Sequence, residues 1–401
     1  MNTAWFSAAE NADRSLAEAR RILKQVPLID GHNDVPWQYR KRTSNDFSAL
    51  DLAHDTAGLQ PAMHTDIPRL RTGGVGGQFW SVYVPTKLSG PEAVQATIEQ
   101  IDVVHRLCSR YPETFELALT ADDIERIHRK GRIASLIGIE GGHSINNSLA
   151  SLRMMYRLGA RYMTLTHVKN TDWADAAGDV ARHNGLTPFG EDVVREMNRL
   201  GMLVDLSHVT DAVMRDALRV SKAPVIFSHS SARAICDHVR NVPDDVLRLT
   251  ATNGGVVMVC FLPGYVTEKD RKDAELAKAE RDRLVELYGE NAEAVNAGMV
   301  EWRKTHPDSD AATLKDVADH IDHIRKVVGV DYIGVGGDFD GFSGGVKGLE
   351  DVSKYPDLLA ELLRRGYSKD DIMKIAGLNV LRAMRGAERV AKELQSAFPT
   401  K

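Results

Sequence analysis

Val26-Pro27-Leu28-Ile29-Asp30-Gly31-His32-Asn33-Asp34 is the stretch from which the fold can be read. A short apolar run gives way to an imidazole and a carboxylate two positions apart. Side chains alternate faces along a strand, so His32 and Asp34 point the same way where the strand runs out. Such a pair can hold a divalent metal. A His-x-Asp pattern alone is common. His64-Thr65-Asp66 repeats it with no apolar run before it, and His64 and Asp66 read as surface loop residues. The weight of His32 and Asp34 depends on whether other apolar runs also end in ligands.

They do. Seven more runs read as strands: Gln78–Val84, Arg132–Ile139, Tyr162–Leu165, Met202–Leu206, Pro224–Phe227, Gly255–Phe261 and Tyr332–Val335. Helical patterns alternate with them, over Pro91–Arg110 (Ile98, Ile101, Val104 and Leu107 on one face), Asn147–Leu158, Glu191–Leu200 and Thr210–Val220. Pro243, Asp244 and Asp245 suit the first turn of another. An irregular stretch is expected after the first strand. Repeated β-then-α units with near-continuous apolar strands imply a parallel sheet buried on both faces. Eight such units predict a closed (β/α)₈ TIM barrel, whose chemistry lies at the C-terminal strand ends. No G-x-G-x-x-G follows the first strand, which argues against an open doubly wound sheet. Residues 268–328 are charged and helical in pattern, with a break at His306-Pro307, and read as a helical insertion before the last strand. With no repeat or clear linker, 1–401 reads as a single barrel domain.

The composition of the 401 residues, 43% hydrophobic and 27% charged, is that of an ordinary globular protein. A net charge of −5 with interspersed signs gives no nucleic-acid or polybasic membrane surface. Three cysteines, Cys108, Cys236 and Cys260, fit buried small hydrophobes in a reducing compartment better than a disulfide framework. Neither end has the apolar core of a signal peptide or anchor tail, and no stretch approaches the roughly 18 apolar residues of a spanning helix. The expectation is a soluble cytoplasmic protein.

The strand ends carry His32 and Asp34, Glu140, His167, His208, His229 and Asp338. Barrel closure would bring them onto one rim. Histidines with acidic oxygens suit Zn²⁺, and Mn²⁺, Co²⁺ or Fe²⁺ also accept such donors. The set exceeds the three protein ligands of one catalytic zinc. Two metals sharing a carboxylate use it better, at the about 3.5–4 Å spacing of such pairs.

The chain resembles the renal (membrane) dipeptidase family, metallopeptidase family M19 of the amidohydrolase superfamily. The stretches that carry the resemblance include Asp30-Gly31-His32-Asn33-Asp34, Gly77-Gln78-Phe79-Trp80-Ser81-Val82-Tyr83 and Glu140-Gly141-Gly142-His143-Ser144. Leu165-Thr166-His167, Asp205-Leu206-Ser207-His208, Phe227-Ser228-His229-Ser230-Ser231-Ala232, Arg240-Asn241-Val242-Pro243-Asp244-Asp245 and Gly337-Asp338-Phe339-Asp340-Gly341 continue it. The first 25 or so residues and the inserted helical region look unlike the family. The resemblance implies a (β/α)₈ barrel with two Zn²⁺ ions bridged by Glu140 and a hydroxide. It places His32, Asp34 and Glu140 on one ion, and Glu140, His208 and His229 on the other. It makes Asp338 the proton shuttle and has His167 polarise the scissile carbonyl. Arg240, with Tyr265 and Tyr83, would hold the substrate carboxylate. The implied activity is hydrolysis of small L-Xaa–Xaa dipeptides, with tolerance of a C-terminal D-residue, and the implied assembly is a homodimer.

Other readings stand beside these. Arg240 could pair with Asp244 or Asp245, and Tyr265 could be a packing residue. Asp340 competes with Asp338 or orients it. His143 reads as a loop residue outside the ligand set, and His320 and His323 as a solvated helix face. The alternative functions are hydrolysis of another small amide or ester on the same barrel, and a barrel kept only for binding, against which the intact ligand set argues.

Overall fold

β1 (Leu28–Asn33) carries the opening stretch and pairs in parallel with β2 (Val75–Tyr83) on one side and β9 (Ile333–Val335) on the other. Between these in the chain run β3 (Phe115–Leu117), β4 (Ile133–Glu140), β5 (Ala160–Thr164), β6 (Leu203–Asp205), β7 (Ile226–Phe227) and β8 (Val256–Val259). In this computed structural model, which describes residues 8–289, 291–307 and 312–397, every strand pairing is parallel. The tail beyond residue 397, read above as lacking an anchor, and residues 1–7 lie outside the described residues.

Closure comes from β4. One edge of it pairs with β2, from Gly77 opposite Ala134 to Tyr83 opposite Glu140. The other edge takes β3 at Ile133–Ser135 and β5 from Ile137 onward. The barrel is therefore eight strands, β1, β2 and β4 to β9, and β3 is a short ninth filling the N-terminal edge of β4. All eight expected strands form. β3 went unforeseen because three residues between turns have no readable period.

Burial explains the apolar runs. All eight residues of β4 are buried, as a strand walled by helices on one side and a packed bore on the other must be. Phe79, Leu136, Tyr162, Leu203, Ile226 and Met258 alternate inward and pack into one cluster that fills the bore. The next inward positions are polar, and the site stands on them.

The ring helices obey local signals. Pro188–Leu200 starts at Thr187, whose hydroxyl accepts the Gly190 N–H, has Pro188 in its first turn, and ends at Gly201 in the left-handed region (φ 84°). Gly90–Arg110 buries Ile101, Val104 and Leu107 of the expected face together with Ala93 and Thr97, and only Ile98 of that face stands half exposed. The stretch after β1 opens with a helix, Val35–Thr43, with Pro36 in its first turn, and is irregular, as expected, over residues 44–66. Within 268–328, Glu268–Tyr288 and Ala292–Thr305 pack on each other, while Leu314–Val328 packs on Asp244–Asn253 and Tyr355–Arg364 as a ring helix. That placement corrects the solvated-face reading of His320, which is fully buried and bonds the Ala232 N–H and the Val266 carbonyl. His323 pairs with Asp244. Among the described residues no helix is long and apolar enough to cross a membrane.

Candidate metal centre

Glu140, the last residue of β4, is the hub. Its Oε2 lies 3.6 Å from His32 Nε2 and accepts from Ser81 Oγ at 3.2 Å. Its Oε1 lies 3.1 Å from His208 Nε2, 3.5 Å from His167 Nε2 and 3.7 Å from His229 Nε2. The carboxylate thus faces one group of donors with each oxygen. On the Oε2 side, His32 Nε2 is 3.4 Å from Asp34 Oδ2 and 3.9 Å from Asp338 Oδ1. Asp34 is also the N-cap of helix Val35–Thr43, yet its carboxylate makes no cap hydrogen bond and stays turned to the site.

The backbone is bent to present these groups. His208 and Asp338, each just past its strand, lie in the left-handed region at φ 69° and 59°. Non-glycine residues enter it at a cost, and such outliers cluster at functional sites. His229 stands two residues past the end of β7. Its Nδ1 lies 2.8 Å from Ser228 Oγ, which is 2.6 Å from Asp205 Oδ2.

Burial alone would raise Glu140, but the charges of His32 and His167 and the bonds from His208 and His32 hold it well below the usual carboxylate range. Burial, then Arg240 and His167, lowers His208, and burial with His32 and Arg240 lowers His229, so both imidazoles favour the neutral form a metal requires. Asp338 is pushed well up by burial and, against His32 and Arg240, by Asp34 and Glu140. His32 Nε2 is buried with no hydrogen-bond partner. An orphaned imidazole nitrogen among carboxylates and neutral histidines fits a borderline cation such as Zn²⁺. Three donor groups converge this way: His32, Asp34 and Glu140; Glu140, His167 and His208; and His32, His229 and Asp338. Distance to Glu140 does not separate His167 from His229.

A cavity of about 300 Å³ opens over the cluster, walled by Trp37, Tyr83, Leu262, Arg240 and Tyr265. Arg240 is buried, with Nη1 3.2 Å from Ser230 Oγ, Nη2 3.3 Å from the His229 carbonyl, and Nε without a partner. Its guanidinium lies 5.3 Å from the Tyr265 ring centre. It pairs with neither Asp244, which takes His323, nor Asp245, which takes Arg215. Tyr83 stands edge-on to both His167 and Trp37. All ten residues expected at the site therefore surround or floor one cavity.

Two expectations are corrected. His64 and Asp66 are buried: the His64 N–H donates to Asp340 Oδ1 at 2.8 Å, and the Asp340 N–H donates to His64 Nδ1 at 2.9 Å. Asp66 caps helix Ile67–Thr72 and binds Arg69. His143 is held off the cluster by the Val84 carbonyl. Trp37 and Ser81 were missed, although Trp37 follows Asp34 by three residues, one helical turn.

The sequence profile described as membrane dipeptidase (peptidase family M19) matches residues 16–397. Dipeptidase 3 of Rattus norvegicus is 41% identical over 387 residues, covering 95% of this chain and 69% of that protein. The crystal structure of the probable dipeptidase PvdM from Pseudomonas aeruginosa superimposes with a TM-score of 0.77 at 24% identity, covering 94% of this chain and 100% of that one. A Rhodobacter sphaeroides metallopeptidase, liganded with a phosphinate mimic of the dipeptide L-Ala-D-Ala, gives 0.73 at 23% identity, covering 90% and 99%. With a match along nearly its whole length and a cluster of candidate metal donors at the expected strand ends, the chain belongs to the membrane dipeptidase family, peptidase family M19, and is a metallo-dipeptidase.

Proposed function

We propose that the protein is a binuclear zinc dipeptidase that cleaves small L-Xaa–Xaa dipeptides, including those with a C-terminal D-residue. The observation that carries this is the split of donors between the two oxygens of Glu140. His32, Asp34 and Glu140 would hold one ion; Glu140, His208 and His229 would hold the other. His229 is preferred to His167 as a ligand because Ser228 anchors its far nitrogen, whereas His167 Nδ1 has no partner. Bound there, the ions supply Lewis acidity and an ionised water at neutral pH.

The chain supplies the rest. Arg240, buried with Nε free at the cavity wall, offers a planar fork for the substrate's terminal carboxylate. Tyr265 and Tyr83 flank that seat. A cation so placed limits how far a substrate can extend, which favours dipeptides over proteins. His167 faces the cavity and can stabilise the carbonyl oxygen as charge develops on it. Asp338, whose pKa burial pushes up, can hold a proton and give it to the departing amine.

The test is metal analysis of freshly purified protein, with assays on free dipeptides, their C-terminal amides and simple esters. Expected are two zinc equivalents per chain, activity lost on chelation and restored by zinc, and turnover confined to substrates with a free carboxylate. A single equivalent would refute the binuclear reading. Equal rates on amides or esters would favour the broader amidohydrolase reading instead.

A further inference from the structure

We propose that Tyr162 is a positioning residue: from beneath the centre its hydroxyl fixes which nitrogen of His32 carries the proton. Tyr162 lies on β5 and is fully buried in the barrel bore. Its hydroxyl is 2.9 Å from His32 Nδ1 and 3.2 Å from the carbonyl oxygen of Gly31. A phenol has one proton to give, and a carbonyl can only accept. With that proton on Gly31, the phenolic oxygen receives the Nδ1–H of His32. The imidazole is then the Nδ1–H tautomer, and Nε2 presents its lone pair. Nε2 is the atom without a partner, facing Asp34 Oδ2 at 3.4 Å and Glu140 Oε2 at 3.6 Å. The reverse tautomer would give up the Gly31 bond and put a proton on Nε2, blocking it as a ligand.

The barrel is shaped for this contact. Tyr162 sits opposite Gly138 in the β4–β5 register. A Cβ at position 138 would lie 2.0 Å from Tyr162 Cζ. Glycine in the middle of a buried strand forfeits packing and weakens the strand, and here its bare backbone lets the ring cross the bore toward β1. The far side of the ring rests on Phe79, with centroids 5.0 Å apart.

His229 is treated by the same rule with different parts. Ser228 Oγ gives its single proton to Asp205 Oδ2 at 2.6 Å and so receives the Nδ1–H of His229 at 2.8 Å. Each of these two imidazoles is thus oriented by a hydroxyl already committed to an acceptor. Partners of this kind set the tautomer and orientation of a ligating histidine.

The inference rests on the reading of His32 as a metal ligand, and the experiment separates the two. Zinc affinity of the full chain is measured by stepwise titration against a chromophoric chelator, in the wild type, Tyr162→Phe and His32→Ala, together with the melting temperature of each metal-free protein. Tyr162→Phe keeps the ring and removes only the hydroxyl. The expected result is one zinc step weakened by about tenfold to a hundredfold, the other unchanged, and a metal-free melting temperature close to wild type. Two unchanged steps overturn the proposal. Equal weakening of both steps with a lowered melting temperature also overturns it, because Tyr162 would then act through packing alone. If His32→Ala itself leaves both steps at wild-type affinity, the ligand reading of His32 fails, and the inference falls with it.

Discussion

Gly341 packs so closely against Asp34 that a Cβ on it would lie 2.5 Å from Asp34 Oδ2. The same Cβ would lie 2.7 Å from Asp338 Oδ1. Two carboxylates with different proposed roles therefore converge over one patch of bare backbone. Gly341→Ala should leave the fold standing, since both side chains border a cavity and can turn away. Their displacement should lower kcat/KM by about a hundredfold, the cost of a misplacement near 1 Å. Steady-state kinetics beside a melting curve checks this. A wild-type rate would show that neither carboxylate needs its present place.

Arg240 gives a prediction that depends on the substrate. Its guanidinium is buried with Nε unpaired, so a charge-assisted bond to substrate is open to it. Such bonds contribute about 1.5–3 kcal/mol. Arg240→Ala should therefore raise KM for free dipeptides by roughly tenfold to a hundredfold. The corresponding C-terminal amides, which bring no carboxylate, should lose far less. Equal loss on both would argue that Arg240 only shapes the rim through Ser230 and the His229 carbonyl.

What the sequence reveals follows the reach of its local signals. His32, Asp34, Glu140, His208, His229 and Asp338 were legible because each ends an apolar run, and strand ends in a parallel barrel share one rim. Helices such as Pro188–Leu200 were legible from periodicity within a few turns. His64 was not. Its burial comes from Asp340 and Gly344, hundreds of residues away. His320 was misread because residues 268–328 look alike in charge pattern, and only packing separates the ring helix from the pair beside it. The left-handed backbone at His208 and Asp338 left no trace, since neither is the glycine that usually marks it. Tyr162 looks like any aromatic in a strand until Gly138 is seen opposite it.

Asp175 predicts how acid loosens the loop that carries Val168 to the cavity. Its carboxylate, fully buried, accepts from the backbone N–H groups of Arg182, His183 and Gly185 at 2.9–3.3 Å. Burial alone would raise its pKa, but those donors together hold it below 3.8. A depressed acid contributes stability that is complete above its unfolded pKa and fades as pH falls through the folded one. At neutral pH, Asp175→Asn should cost about 1–3 kcal/mol, because it sets an amide N–H₂ against backbone donors. Urea unfolding of both proteins at pH 7 and pH 3 should show that gap narrowing in acid. A gap that widened would assign the stabilisation to another group.

The His64–Asp340 pair is the clasp on the turn that bears Asp338. The two residues exchange backbone and side-chain bonds, and His64 Nε2 donates to the Gly344 carbonyl at 2.9 Å. Nδ1 is thus the acceptor and Nε2 the donor of the ring. The turn needs holding. Asp338 and Asp340 both lie in the left-handed region, at φ 59° and 66°, and each such non-glycine residue costs about 1–3 kcal/mol. His64 is not among the residues that wall the cavity, so its removal should act only through the turn. His64→Ala should lower stability by about 1–3 kcal/mol for the buried groups left unpaired. It should also reduce kcat by about tenfold or more with little change in KM, since a relaxed turn misplaces Asp338 but leaves Arg240 in position. Unfolding and steady-state kinetics together decide the matter. If stability falls while kcat holds, Asp338 is fixed by its own strand and neighbours, and the clasp serves only the 56–66 loop.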